Sequence, residues 1–436
     1  MARRAVKIPA LAAAVFVSCA TASFQRVDNA LDAGRYEESV LLLEDNRSSL
    51  YGSGDDILYY LDKGMLAHYA GLYPESSDLL ETGERAIEEA YTKSITRELG
   101  TYLLNDNVQD YAGEDYEDIY TNTFNALNYY HRGNLEDALV EIRRMNNKIR
   151  NLADKHGVTR SALQRKALEE SLPIPPNSEA PAAFNDSALA RYLGMLFYRG
   201  SGRLDDARID GEYLRLAFAN SPVLYPHPPP ASLEQELNIS PDMARLNVLA
   251  FAGLSPVKED ETMRFSLGNR YLKISLPRMI YRPSSVTRIE IVFDDGRRFD
   301  LELLEDIEAV ARETYKAQEG IIYLKTIIRA SLKSAGSAVF DAMAENEDTE
   351  DQARFVYGIL SLGSQIFAEV SEQADLRISR YFPARAYVGG IDLSPGRYSC
   401  EAVYYGASGK VVASFRYEDI LVQKNRLNLV EVICLK

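Results

Sequence analysis

Gly133-Asn134-Leu135-Glu136-Asp137-Ala138, followed by the apolar Leu139 and Ile142, is the stretch from which the architecture of the first half of the chain can be read. A glycine often ends a helix, because it adopts the left-handed conformation without strain. Leu135 then packs in the turn, and the small Ala138 lets a second helix approach the first. The stretch therefore predicts two helices joined by a tight turn.

This pattern occurs four times between Phe24 and about Pro222, and the other copies are Gly34–Ser39, Gly71–Ser76 and Gly202–Ala207. It resembles the turn of the tetratricopeptide repeat (TPR), whose period is about 34 residues. Spacings of 37 residues between the first two turns and 69 between the last two fit a degenerate array. Such helix pairs stack into a superhelix whose concave face commonly binds peptides or protein segments. A spacer that only separates a second domain from a membrane is the alternative.

The second half of the chain reads as strands joined by turns. Asp294-Asp295-Gly296 predicts a hairpin turn, and Pro395-Gly396 and Gly406–Gly409 predict further turns between strand-like segments. Two helices are predicted between these groups of strands, at about 304–333 and 351–373. Hairpins at this spacing predict a small β-sandwich that resembles transthyretin-like or immunoglobulin-like modules, with the pair of helices inserted.

The expected fold class is therefore α+β. Residues 19–230 are predicted to form an N-terminal all-α, TPR-like helical repeat array, interrupted by a proline-rich loop at about 172–182. Residues 231–436 are predicted to form a C-terminal β-sandwich-like domain with inserted helices.

The first two dozen residues predict export. Arg3, Arg4 and Lys7 precede the apolar run Ala10–Val17, as in a secretory signal peptide. The run is shorter than the roughly 20 apolar residues that a transmembrane helix needs. Phe16-Val17-Ser18-Cys19 resembles the bacterial lipobox, in which the cysteine is acylated, for example with palmitate, and becomes the new N-terminus. An ordinary signal peptide with an incidental cysteine is the alternative.

Removal of residues 1–18 would leave a lipoprotein held at a membrane through Cys19. Several acyl chains anchor a protein stably, since each buried methylene contributes about 0.8 kcal/mol. Ala20 stands where an Asp is associated with retention at the inner membrane. The expected location is therefore the periplasmic face of the outer membrane.

Composition limits the partners and cross-links that the chain can have. Its 64 acidic and 49 basic residues give a net charge of −15, which argues against nucleic acid as a partner and against a basic surface for anionic lipid headgroups. Cys400 and Cys434 lie in strand-like segments near the C-terminus. In an exported compartment they can form a disulfide or remain two buried thiols, and the sequence supplies no geometry to choose.

Several short segments together resemble a family of uncharacterised bacterial lipoproteins with N-terminal TPR-like repeats. The resemblance covers most of the mature chain and implies an envelope location without an assigned enzyme activity. Where that family has Trp after Asp-x-Arg, this chain has Ile378-Ser379. The segments are Tyr111–Glu117, Ala126–Tyr129, Asp137–Glu141 with Arg143-Arg144, Leu246–Val248, Gly253–Val257, Ala374–Arg377 and Phe382-Pro383.

Polar and aromatic residues of these segments are the candidate site. Glu141 and Arg144 are three residues apart on one helix and can form an ion pair. The set forms either a partner-binding surface or an internal network that joins adjacent repeats. Its members are Tyr111, Glu114, Asp115, Tyr116, Glu117, Glu141, Arg143 and Arg144.

Motifs for catalysis and metal binding are absent from the sequence. The four histidines, at 68, 131, 156 and 227, lack the spacing of a zinc site, and neither a Gly-x-Ser-x-Gly elbow nor a phosphate loop occurs. No enzyme activity, metal or cofactor is predicted. The expected function is a protein-interaction or scaffold module of the bacterial cell envelope, with regulation of envelope or cell-wall assembly as one specific form. The alternatives are a glycan- or lipid-binding envelope protein without a protein partner, and an enzyme with a raised-pKa carboxylate in an acidic cleft.

Overall fold

The computed structural model of the protein describes residues 15–96, 110–169, 184–267, 270–334 and 374–436. The proline-rich loop predicted at 172–182, the helix predicted at 351–373 and residues 1–14 of the predicted signal peptide lie outside the described residues. The side chain of Cys19 also lies outside them.

The first half of the described chain is helical, and consecutive helices pack against one another. The four predicted turns connect α1 to α2, α4 to α5, α6 to α7 and α8 to α9. The helices are α1 (Val15–Asp32), α2 (Tyr36–Asp45), α3 (Arg47–Leu50), α4 (Asp56–Tyr69), α5 (Tyr73–Thr96), α6 (Asp115–His131), α7 (Leu135–Glu169), α8 (Ala188–Gly200) and α9 (Leu204–Asn220).

The four turns share one backbone geometry. The glycine of each has a positive φ, between 71° and 78°. At Gly133, the glycine N–H donates to the carbonyl of Tyr130 at 2.8 Å, and the Asn134 N–H donates to that of Tyr129 at 2.9 Å. These two bonds define the Schellman motif, which satisfies carbonyls at the end of a helix. Five residues after each glycine, a small side chain is fully buried, and these residues are Ser39, Ser76, Ala138 and Ala207.

Glycine-to-alanine substitutions at two positions are expected to change stability in opposite directions. Gly133→Ala should lower the free energy of unfolding by about 1–2 kcal/mol, because an added Cβ strains the left-handed backbone although nothing lies within 4 Å of it. Gly157→Ala, within α7 and also in open space, should raise it by about 0.5–1 kcal/mol. Urea unfolding of both variants measures the two effects, and a change of the same sign in both would contradict the explanation.

The second half contains one large sheet, one separate hairpin and a long helix, α10 (Ile307–Ser334), where a helix was predicted at 304–333. The strand order in the large sheet is β8-β7-β4-β5-β6-β1-β9, and β2 pairs only with β3 among the described strands. β1 runs parallel to β9, whereas the other neighbours are antiparallel. The strands are β1 (Ala244–Leu254), β2 (Val257–Leu267), β3 (Arg270–Ile280), β4 (Arg288–Phe293), β5 (Arg298–Asp306), β6 (Pro383–Leu393), β7 (Gly396–Tyr405), β8 (Val411–Val422) and β9 (Asn428–Cys434).

The predicted β-sandwich is wrong. Seven of the nine described strands form one mixed sheet that curves until it is nearly closed, and its two edge strands, β8 and β9, contact each other. The prediction failed because it relied on the spacing of hairpins along the chain. The pairings that shape the sheet are not local, since β1 joins β6, more than a hundred residues later, and lies parallel to β9.

β1 is buried on both faces and connects the helices to the sheet. Leu249 and Phe251 belong to the core that the sheet shares with the helices. Val248 and Ala250 point the opposite way, into the core enclosed by the curved sheet. A strand buried on both faces has a nearly continuous apolar run, as β1 has from Val248 to Leu254, so its sequence lacks the alternation that reveals a strand. For this reason β1 was not predicted.

A β-bulge in β5 turns a carboxylate towards the helices. The register against β6 shifts between Leu303 and Glu305, and bulges commonly redirect side chains in this way. Glu305 is fully buried. It accepts hydrogen bonds from the Ser187 hydroxyl at 2.8 Å, the Leu189 N–H at 3.1 Å and the Tyr225 hydroxyl at 2.8 Å, and also from Tyr120. These bonds attach the sheet to the N-terminus of α8.

Candidate functional site

A cleft of about 640 Å³ opens between α5, α6 and α7. Later residues of α5 contact later residues of α7: Lys148 contacts Glu84 at 2.7 Å, and the Tyr91 hydroxyl donates to the Lys155 carbonyl at 3.0 Å. The two walls therefore run parallel, with α6 as the floor. The charged residues that line the cleft are Glu84, Arg85, Glu88, Asp115, Asp118, Arg144, Lys148, Asp154 and Lys155.

Ion pairs join α6, the floor of the cleft, to the helices that form its walls. Lys148 donates to Asp118 Oδ1 at 2.6 Å, to the Asp118 carbonyl at 3.0 Å and to Glu84 Oε1 at 2.7 Å, which uses all three ammonium hydrogens. Burial would lower the pKa of Lys148, but the carboxylates of Asp118 and Glu84 outweigh it and raise that pKa. Lys155 pairs with Asp115 at 3.0 Å. These charges are neutralised within the protein and hold three helices in register.

A second part of the network includes two of the predicted residues, Glu141 and Arg144. The Asn122 amide donates to Glu84 Oε1 at 2.9 Å and to Glu141 Oε2 at 2.7 Å. The predicted pair between Glu141 and Arg144 forms at 3.0 Å, and half of the Arg144 side chain remains exposed at the rim. Arg143, which directly precedes Arg144 in the sequence, is exposed and does not line the cleft. The structure thus separates two arginines that the sequence presents as a pair.

The remaining predicted residues lie in a buried cluster outside the cleft lining. Glu117, in the first turn of α6, accepts hydrogen bonds from the Tyr111 hydroxyl at 2.6 Å, the Glu114 N–H at 2.9 Å and the Ser379 N–H at 2.6 Å. Burial, together with the nearby Glu114 carboxylate, raises the pKa of Glu117 to about 8. Glu117 is fully buried, so a raised pKa here accompanies a structural role and not contact with a substrate.

Four of the segments in the family resemblance meet in this cluster. The guanidinium of Arg377 lies 5.5 Å from the centre of the Tyr111 ring. The Ser255 N–H donates to the Phe382 carbonyl at 2.8 Å, and the Tyr116 hydroxyl lies 3.4 Å from the Ser255 hydroxyl. At the position where the family has Trp, Ile378 is buried and the following Ser379 bonds to Glu117. The cluster joins α6 to the segment that leads into β6.

Two histidines that are distant in sequence flank one carboxylate on β9. His68 Nε2 lies 2.8 Å from Glu431 Oε1, and His131 Nε2 lies 2.8 Å from Glu431 Oε2. Within the described residues, no group of three or more His, Cys, Asp or Glu side chains is arranged to hold a metal ion. The side chain of His156 lies outside the described residues, and His227 contacts the carbonyl of Pro228. The histidine pair attaches the helices to an edge strand of the sheet.

Cys400 and Cys434 are buried free thiols. They lie on β7 and β9, which are not neighbours in the sheet. Of the two alternatives that the sequence left open, a disulfide or two buried thiols, the structure therefore contains two separate thiols.

Sequence reasoning missed most of the residues that shape the cleft, including Glu84, Asp118, Lys148 and Lys155. A weak signal was present: Asp115 and Asp118 are three residues apart, and Lys148 and Lys155 are seven apart, so each pair shares one face of a helix. That spacing does not reveal that the two faces meet. The meeting depends on how α6 and α7 pack.

Comparisons with protein-family models, with curated proteins and with solved structures found no match. Within the described ranges, none of the helices combines the length and the apolar character needed to cross a bilayer.

Proposed function

We propose that the chain is an exported, lipid-anchored protein of the bacterial envelope that binds a polypeptide partner through the α5–α6–α7 cleft. The observation that carries this proposal is the cleft itself, a polar concavity on the helical array with charged side chains around its rim. Helical arrays commonly use such concave surfaces for peptides and protein segments. The TPR-like turns, the signal peptide and the lipobox support the same function from the sequence.

The proposed anchor would hold this surface close to the membrane. Phe24 is already packed, since its ring lies 5.9 Å from that of Tyr51 and 4.4 Å from the guanidinium of Arg380. Only residues 20–23 separate Phe24 from Cys19. At about 3.3–3.6 Å per residue, the connection spans at most about 17 Å. A tether this short suits a partner that is itself in or near the membrane.

Site-specific photocrosslinking in intact cells tests the proposal. A photoreactive amino acid at Asn151, which lines the cleft, should capture an envelope protein, whereas the same group at Arg143, exposed on the same helix but outside the lining, should not. Capture should fall at least about tenfold when Cys19→Ala abolishes the anchor and the high local concentration that it provides. Radioactive palmitate reports the lipid in the same samples.

Two results would overturn the proposal. Equal capture from Asn151 and Arg143 would show that the cleft is not the contact surface. Absence of protein capture, together with sedimentation of the purified protein with peptidoglycan, would favour the glycan-binding alternative instead.

A further inference from the structure

The rim of the cleft carries charges that the floor does not neutralise. Arg85 is exposed, donates to the Thr82 hydroxyl at 3.1 Å and forms no ion pair within the described part of the chain. Arg144 pairs with Glu141 at 3.0 Å and with Glu84 at 3.7 Å but is half exposed, and a guanidinium has five N–H donors. Donors remain on both arginines for an anionic group of a ligand.

Carboxylates stand further along both walls. Glu88 on α5 and Asp154 on α7 are exposed, line the cleft and form no ion pair with the residues that the structure describes. Each therefore offers a carboxylate to a cationic group.

The two walls have the same polarity. On each wall the basic residue precedes the acidic one in sequence: Arg85 precedes Glu88 on α5, and Arg144 precedes Asp154 on α7. Because the two helices run parallel, both basic residues lie towards the same end of the cleft. Arg144 and Asp154 are ten residues apart, which corresponds to about 15 Å along α7, whereas Arg85 and Glu88 are three residues apart, about 4.5 Å along α5, so the wide separation of charges belongs to the α7 wall. The cleft thus has a basic end and an acidic end.

The residues between the two ends suit a peptide backbone. Asn147 and Asn151 are exposed on α7 and line the cleft. Each amide side chain has both donors and an acceptor, as does the backbone of an extended peptide. In such a peptide, side chains four positions apart are separated by about 13 Å.

We propose that the cleft selects an extended polypeptide segment that carries an anionic side chain and a cationic side chain about four residues apart. The anionic group contacts Arg144 and the cationic group contacts Asp154, while Arg85 and Glu88 line the opposite wall at levels between these two residues. This inference rests on the proposed function and specifies the ligand of the same cleft. A free amino acid, whose two charges are close together, cannot reach both Arg144 and Asp154.

Two synthetic peptides of equal composition test the spacing. Acetyl-Glu-Gly-Ser-Gly-Lys-amide separates the charges by four positions, and acetyl-Gly-Glu-Lys-Ser-Gly-amide places them side by side. In ligand-observed NMR titrations with the mature chain, the first should bind about fivefold more tightly than the second, the effect of one exposed ion pair. Arg144→Gln and Asp154→Asn should each remove most of this difference, whereas Arg143→Gln should leave it unchanged. All three variants replace exposed side chains, and circular dichroism checks that they fold.

The outcomes separate this inference from the proposed function. Equal binding of the two peptides, or equal effects of Arg144→Gln and Arg143→Gln, would overturn the charge spacing. If neither peptide binds while the photoreactive group at Asn151 captures a partner, the spacing is wrong and the proposed function stands. If the capture also fails, both proposals are wrong.

Discussion

Replacing Glu431 with leucine is expected to lower the free energy of unfolding by about 3–5 kcal/mol near pH 6, because it removes one partner of a buried ion pair. His68 lies between Glu431 and Asn128, whose Oδ1 is 2.7 Å from His68 Nδ1. The Asn128 amide nitrogen donates to the Ser76 hydroxyl at 2.9 Å, so its oxygen faces the ring. Both ring nitrogens therefore donate, and His68 is an imidazolium.

The pH dependence of this effect follows from two pKa shifts. Burial would raise the pKa of Glu431, but His68 and His131 outweigh it and lower that pKa to about 2. Its contribution is therefore present above about pH 4.5 and is lost as the pH falls towards 2. Burial would lower the pKa of His68, but Glu431 and Asn128 outweigh it and raise that pKa. Its contribution is complete below about pH 6.5 and is lost as the pH rises through the raised pKa.

Urea unfolding at several pH values measures the prediction. The difference between the wild type and Glu431→Leu should be largest between about pH 4.5 and 6.5 and smaller on both sides. Glu418→Leu is the matched control, because Glu418 is an exposed residue of β8 that pairs with Arg416 at 2.8 Å. Its effect should stay within about 0.5 kcal/mol. A Glu431→Leu effect below about 1 kcal/mol, or one that is independent of pH, would contradict a buried imidazolium–carboxylate pair.

Replacing Glu305 with leucine is the second substitution with a large expected effect, a loss of about 4 kcal/mol. Leucine fills similar space but accepts no hydrogen bond, so the Leu189 N–H and the hydroxyls of Tyr120 and Tyr225 lose their acceptor in the interior. Each buried donor without a partner costs about 1–3 kcal/mol. The negative charge at the N-terminus of α8 is lost as well.

Two further variants make this second test specific. Glu305→Gln should have a smaller effect, because the amide oxygen still accepts while its NH₂ group faces a donor. Glu302→Leu, on the same strand, changes a half-exposed side chain that accepts one bond from the Ser232 N–H at 3.3 Å, and should cost about 1 kcal/mol or less. If Glu305→Leu and Glu302→Leu were equally mild, Glu305 would not attach the sheet to the helices.

Local features were predicted from the sequence because local chemistry controls them. A Schellman turn needs a left-handed residue, and the close approach of the next helix needs a small side chain five positions later; both are present at Gly34, Gly71, Gly133 and Gly202. The Glu141–Arg144 pair was likewise predicted, since residues three apart on a helix are neighbours.

Features that depend on distant parts of the chain could not be read in this way. Glu431 follows His68 by more than three hundred residues, and no local pattern relates them. The predicted candidate residues fell into two sites, because α6 presents Asp115 to the cleft and Glu117 to the junction with the segment before β6. Arg143 and Arg144 also point in different directions, which neighbouring positions on a helix must do.

For this protein, residue types and short spacings were enough to define the helical hairpins and the strand-rich second half. The nearly closed sheet, the cleft and the buried carboxylates at 305 and 431 arise from packing between segments far apart in the chain. Turns and helix pairs depend on interactions within a few residues, which the sequence displays directly. Strand order and side-chain networks depend on which surfaces bury each other, and many sequences with the same local pattern can satisfy that requirement differently.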